Sequence, residues 1–275
     1  LAPSSGATRL MPAATGRWTA RRAVDTAMRG HREALFLKGL IAAQMHRHRE
    51  AIAAFDAAPI KDDPETGLWR ALVDQRLGRN AQALVGFRRA EAILDRYPPE
   101  LQGDLRAAKA RAALAMRDMT IAEREIETLA GLPGSTVDSE NIALLRAMLD
   151  DVSGRPDNAL AGYKPLFEAR SRPVAAEAQL RAVRLIQAEK RSDIGPDEAL
   201  ARLETVSIIW RGGDIEIEAL AEMGRLYADQ QRWRDAFMVA RRASETFPDH
   251  ALTRRLQYET AQRFAELFGV RGLDE

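Results

Sequence analysis

The side chains of this sequence that could do chemistry are few and scattered. Two imidazoles come close together in His46-Arg47-His48, which is part of a metal-site pattern; a third ligand and an enclosure are both missing from the sequence around it. The other histidines are His31 and His250. Paired carboxylates, the raw material of general acid–base work, occur as Asp62-Asp63 with Glu65 and as Asp150-Asp151. Helix-start charge and solvated surface account for both better than catalysis does. Cysteine is absent, which removes disulfides, thiolate metal sites and thiol nucleophiles together. Gly212-Gly213 lacks the strand and the lysine of a phosphate-binding loop, and neither GxSxG nor HExxH occurs. Trp18, Trp69, Trp210 and Trp233 fall in separate segments, as packing residues do, rather than forming a stacking platform for bases. The residues therefore predict no enzyme, no cofactor and no metal.

Composition narrows the partner in the same direction. Lys and Arg total 41 against 40 Asp and Glu, a formal net charge of +1, so no strong field draws nucleic acid or anionic lipid. The hydrophobic fraction of 46% is ample for a core. No apolar run approaches the roughly 20 residues that cross a bilayer, and no signal-peptide pattern opens the chain. The chain begins with Leu1, so we expect a trimmed or processed product with a segment upstream.

The elements that would position any site are helices. Residues 1–16 read as linker. From Trp18 on, small and apolar residues recur at three- and four-residue spacings between Pro, Gly and Asp, and β-branched alternation is nearly absent. A small residue, a large one four positions on and a small or apolar one three further recur six times. The sets are Ala51/Phe55/Ala58, Ala83/Phe87/Ala90, Ala122/Ile126/Leu129, Ala159/Tyr163/Leu166, Ala199/Leu203/Val206 and Ala236/Ala240/Ala243. Gly78–Phe87 also aligns with Gly154–Tyr163 outside the triplet. Positions i, i+4 and i+7 share a helix face, so each set is the inward stripe of the second helix of a hairpin. One such hairpin cannot hide its apolar faces, and stacked copies can. Pro165 falls inside the fourth second helix and should kink or shorten it.

The last unit carries a family resemblance. Leu220, Met223, Gly224 and Tyr227, then Ala236, Ala240 and Ala243, with Pro248 closing, have the spacing of the tetratricopeptide repeat, and the sequence resembles that family over about 30–250. Ala240 departs where an aromatic is usual, and Arg70 and Asp74 depart where apolar residues are usual. The resemblance implies an all-α, right-handed α-solenoid of about six hairpins over 17–269. The repeats lie near 31–60, 64–97, 100–132, 138–170, 173–211 and 214–248, with a capping helix at 249–269. A further helix is expected at Trp18–Met28.

It also implies a function: a non-catalytic scaffold or adaptor that holds a peptide or amphipathic helix of a partner protein in a groove lined by the first helices. Mapped by the resemblance, that groove takes Phe36, Leu40 and Gln44 from unit one, and Leu68, Leu72 and Arg76 from unit two. Arg111, Met148 and Arg225 follow from later units, with Glu33, Asp104, Leu144 and Asp229 beside them. Members that clamp a chain terminus use Lys and Asn where Phe36/Leu40 and Leu68/Leu72 stand here, so that clamp is not expected. The same apolar residues serve equally well as core, and both readings stay open. The alternatives to an adaptor are a self-associating structural component, hence a homo-oligomer, and a module attached to an upstream enzyme domain. Neither nucleic-acid binding nor membrane insertion is expected. The opening segment and the arginine-rich composition point to a larger bacterial protein and favour periplasm or envelope over cytoplasm.

Overall fold

The computed structural model describes residues 32–57, 63–134, 137–189 and 194–268. The linker at 1–16 and the helix expected at Trp18–Met28 lie outside them. Every regular element among the described residues is a helix. The first hairpin is α1 (Arg32–Gln44) and α2 (His48–Ala57), and the second is α3 (Pro64–Arg76) and α4 (Asn80–Arg89), extended by one turn, α5 (Glu91–Leu94). The third is α6 (Pro99–Ala115) and α7 (Met119–Ala130), and the fourth α8 (Ser139–Val152) and α9 (Pro156–Tyr163). Then come α10 (Arg172–Ala188) with α11 (Pro196–Ile209), α12 (Gly213–Asp229) with α13 (Trp233–Thr246), and the terminal α14 (Ala251–Phe268). Cα packing divides the chain inside α8 into two compact units, 1–145 and 146–275.

One turn builds five of the hairpins. Five residues before the inward alanine stands a residue in the left-handed region: His46, Gly78, Arg117, Gly154 and Gln231, with φ of 57°, 73°, 57°, 72° and 59°. The next residue's N–H reaches back five positions to a first-helix carbonyl, as in Arg47 to Ala42 at 2.8 Å, Arg79 to Asp74 at 2.8 Å and Asp118 to Ala113 at 2.9 Å. Arg155 to Asp150 at 2.9 Å and Arg232 to Tyr227 at 2.8 Å repeat it. This is the Schellman closure, which satisfies carbonyls that a helix end leaves open. Glycine suits it at two sites; His46, Arg117 and Gln231 adopt it against a steric cost of about 1–2 kcal/mol each. Because the turn is the same, positions in different hairpins can be compared by counting back from the alanine. The turn of the fifth hairpin falls partly outside the described residues.

Within the first unit α2 packs on α1 and α3, α4 packs on α3 and α6, α7 packs on α6, and α3 also meets α6. The core runs through Phe36, Phe55, Leu68, Trp69, Phe87, Tyr97 and Leu105; fully burying side chains of this size is worth about 1.5–3 kcal/mol each. Trp69 Nε1 donates to the Tyr97 hydroxyl at 3.1 Å, and that hydroxyl donates to Glu65 at 2.8 Å. Glu65 is thus structural, and Asp63 caps α3 by accepting from the Thr66 N–H at 3.1 Å. In the third hairpin the packing positions are charged. Glu125, 0% exposed, meets Lys109 at 2.8 Å and Arg106 at 2.7 Å, and Lys109 also meets Glu91 of α5 at 2.9 Å. Burial alone would raise the Glu125 pKa, but the hydrogen bonds and charges of Lys109 and Arg106 outweigh it and hold the carboxyl below its ordinary value.

The second unit repeats the packing. Its core joins Leu180, Val183, Leu203, Ile217, Leu220, Tyr227, Ala243 and Leu256. Pro165 acts as expected: α9 ends at Tyr163 and the chain continues as a 3-10 turn, Lys164–Glu168, that still buries Leu166. Gly162 lets α9 approach Ala147, where an added Cβ would come within 2.8 Å, and Gly86 does the same against Ala71 in the first unit. The alignment of Gly78–Phe87 with Gly154–Tyr163 is therefore a repeated close approach. At the end, α14 packs on α12 and α13 and buries Leu256 between them. Phe264 of α14 stays half exposed and meets Phe237 edge-on, ring centroids 5.8 Å apart.

Candidate protein-interaction surface

The residues mapped to a groove divide by chemistry. Phe36, Leu40, Leu68, Leu72 and Met148 are 0%, 4%, 0%, 3% and 4% exposed, and Leu144 is equally buried. They stand fifteen and eleven residues before the inward alanine of their hairpins, and the structure commits these side chains to the core. The reason is local: Phe36 and Leu40 on α1, and Leu68 and Leu72 on α3, lie in the same core cluster as the second-helix residues Phe55 and Phe87, so the face the resemblance assigns to a ligand is also packed. The mapped polar residues stay nearer the surface. Gln44 is half-buried. Arg76 donates to the Ala43 carbonyl at 3.0 Å. Burial lowers the Arg76 pKa against the opposing charge of Asp104, and raises that of Asp104 against Arg76. Arg111 is half-buried, and Glu33, Arg225 and Asp229 are exposed.

In the second unit the first helices present a row of charges that the sequence did not single out. On α10, Glu177, Arg181 and Arg184 lie at spacings of four and three along a helix whose other faces are almost wholly buried. Arg181 pairs with Glu177 at 2.9 Å; burial works against the Arg181 charge, and Glu177 together with Tyr163 and Glu218 more than offsets it, so the pKa rises. Arg184 reaches across to α12, where it bonds Glu218 and meets Glu222 at 3.1 Å. Glu222 also takes Arg225 at 2.6 Å, and on α14 Arg255 takes Glu259 at 2.7 Å. Arg225 and Asp229 further line the mouth of a pocket of about 350 Å³ between α12, α13 and α14, with Trp233 and Glu259. The signal that could have found the row is the 4/3 spacing of charges on the apolar α10. It was hidden because the longer stretch of sequence between α10 and α11 breaks the count from Ala199.

The remaining candidates resolve into structure. His46 and His48 stack edge-on in the first turn, centroids 5.9 Å apart, and no group of three metal-ligating side chains gathers among the described residues. Asp150 pairs with Arg155 at 2.8 Å, and Asp151 accepts from the Tyr163 hydroxyl at 3.3 Å. Among the described residues no helix is long and apolar enough to cross a membrane.

No family description and no curated protein matches the chain. Solved structures do. The chain is similar to a tetratricopeptide repeat protein from Parabacteroides merdae, with 15% identity over 90% of this chain and 91% of that one and a TM-score of 0.63. It is also similar to the Cut9–Hcn1 hetero-tetramer of the APC/C, with 10% identity over 89% of this chain and 46% of that one and a TM-score of 0.55. Likeness at these identities is one of fold: the chain has the all-helical tetratricopeptide-type fold.

Proposed function

We propose that this chain is a non-catalytic scaffold that holds a partner polypeptide against the charged first-helix face of α10 and α12. The observation that carries this reading is the row Glu177–Arg181, Arg184–Glu218/Glu222, Arg225. The Arg184–Glu218 pair, with both side chains about a third exposed, is of a kind worth about 0–1 kcal/mol. A partner that brings its own carboxylates and cations can replace it at small cost, and such exchange selects for a pattern of charge. The large apolar residues at the mapped positions are already core, so the partner contacts fall on polar side chains, Arg225 among them.

The test is capture of partners from lysate of the encoding cell by wild type and by an Arg184→Glu/Arg225→Glu variant that keeps its helical circular dichroism. A protein held by wild type, lost by the variant and released as salt rises from about 0.1 to about 0.5 M supports the proposal. The same proteins on both baits overturn it. So does a mass that grows with concentration while no foreign protein binds, which assigns the face to self-association.

A further inference from the structure

The second hairpin leaves open a space that other hairpins fill. Counting sixteen, thirteen, twelve and nine residues back from the inward alanine, the sixth hairpin has Leu220, Met223, Gly224 and Tyr227, all buried. At the first two of these positions the third hairpin has Arg106 and Lys109, buried in their ion cluster. The second hairpin has Gly67, Arg70, Ala71 and Asp74. Among the described residues, a Cβ added at Gly67 meets no atom within 4 Å. The result is an open cleft of about 900 Å³ with α2 on one side, α4 on the other and α3 beneath.

The lining is asymmetric. Toward α2 lie Phe55 and the Asp56 carboxylate, already bonded to Arg70. Along α4 run Arg79, Gln82, Val85 and Arg89. Asp74 at the base is held between Arg70 at 3.6 Å and Arg79 at 3.5 Å. Val85 is 50% exposed, and Arg89, also exposed, makes no hydrogen bond or ion pair among the described residues. An uncommitted guanidinium beside an exposed aliphatic side chain and a vacant hollow is complementary to one kind of ligand: an apolar side chain with a carboxylate close by in sequence.

We propose that this cleft is a second docking site, for a short acidic segment of a partner protein that inserts one aliphatic or aromatic side chain over Gly67 and sets a carboxylate against Arg89. The inference rests on the scaffold reading but names a separate surface, on the second-helix side of residues 55–89. Filling the hollow from within removes the site without a clash, because Gly67 has room for a side chain and leucine favours the helix by about 1 kcal/mol.

The experiment selects a random display library of roughly 12-residue peptides on the whole wild-type chain. Affinities of enriched peptides are then measured for wild type, Gly67→Leu, Arg89→Glu and Arg184→Glu/Arg225→Glu. The expected result is peptides with an apolar residue within one turn of Asp or Glu. Their affinity falls about tenfold or more in Gly67→Leu and in Arg89→Glu and is unchanged in the Arg184/Arg225 variant, while thermal unfolding shows Gly67→Leu folded and no less stable. Peptides that bind Gly67→Leu as tightly as wild type overturn the cleft. If those peptides are instead lost by the Arg184/Arg225 variant, the scaffold reading stands without it. Enrichment of basic peptides, or of none, also overturns the cleft, and leaves the scaffold reading to the capture experiment.

Discussion

Residues 63–130 and residues 213–246 are built on one plan and packed by opposite means. Both close their hairpins with the left-handed turn, at Gly78, Arg117 and Gln231, and both set a buried alanine five residues later, at Ala83, Ala122 and Ala236. The sixth hairpin then fills the space between helices with Leu220, Met223 and Tyr227. The third fills it with Arg106, Lys109 and Glu125, and the second leaves it open over Gly67. Turn and alanine are thus enough to set the backbone, and the remaining positions are free to become core, ion cluster or cleft. What distinguishes one hairpin from another is carried by three or four side chains, on its first helix in the second and sixth hairpins and shared with Glu125 of the second helix in the third.

The comparison can be broken most severely at Glu125. Glu125→Ala removes the buried carboxylate that Lys109 and Arg106 share and leaves them only the more exposed Glu91 and Asp95, and urea unfolding should show a loss of about 3 kcal/mol; a loss under about 1 kcal/mol would show that the ion cluster is dispensable to its hairpin. Next in size, Leu220→Ala opens in the sixth hairpin the space that Gly67 leaves in the second, and should cost about 2–4 kcal/mol by the same measurement. The reverse change, Gly67→Leu, sharpens the contrast by closing the cleft, with a gain of about 1 kcal/mol. The turns supply the control: Arg117→Gly and Gln231→Gly should each gain about 1 kcal/mol, equally in the two regions, since both relieve the same left-handed strain. Unequal gains would refute the shared plan.

The smallest effect is one of pH, and it has opposite signs at two carboxylates of the first unit. Glu125 titrates below its ordinary value in the folded chain, so its contribution is present above the unfolded pKa of about 4.3 and is lost as pH falls through the folded value. For Asp74, burial outweighs Arg70 and Arg79 and raises the pKa, so its contribution is greatest in acid and is lost as pH rises through the folded value. Stability measured from acid to neutral pH should therefore climb less steeply in Glu125→Gln than in wild type, and more steeply in Asp74→Asn.

Much of this fold was legible because its signals are local. The inward alanines and the second-helix stripes follow from helical spacing, Pro165 ends α9 by geometry, and the motif shared by Gly78–Phe87 and Gly154–Tyr163 marks a turn and a close approach. The surface was less legible. An apolar stripe reveals that a face is covered without revealing what covers it, so Phe36, Leu40, Leu68 and Leu72 read equally as groove or as core. The Glu125 cluster draws on α5, α6 and α7 at once, and no spacing within one helix announces it.

The sequence by itself determined the helical hairpins and the absence of familiar catalytic motifs, because these depend on neighbours within a few residues. Tertiary structure alone decided which residues at matching positions are inside, that Arg184 spans from α10 to Glu218 and Glu222 on α12, and that Gly67 meets none of the described residues across the cleft. Each of these depends on which helix lies alongside, and the distances that settle it are between residues some thirty-odd positions apart or set by a side chain that is missing.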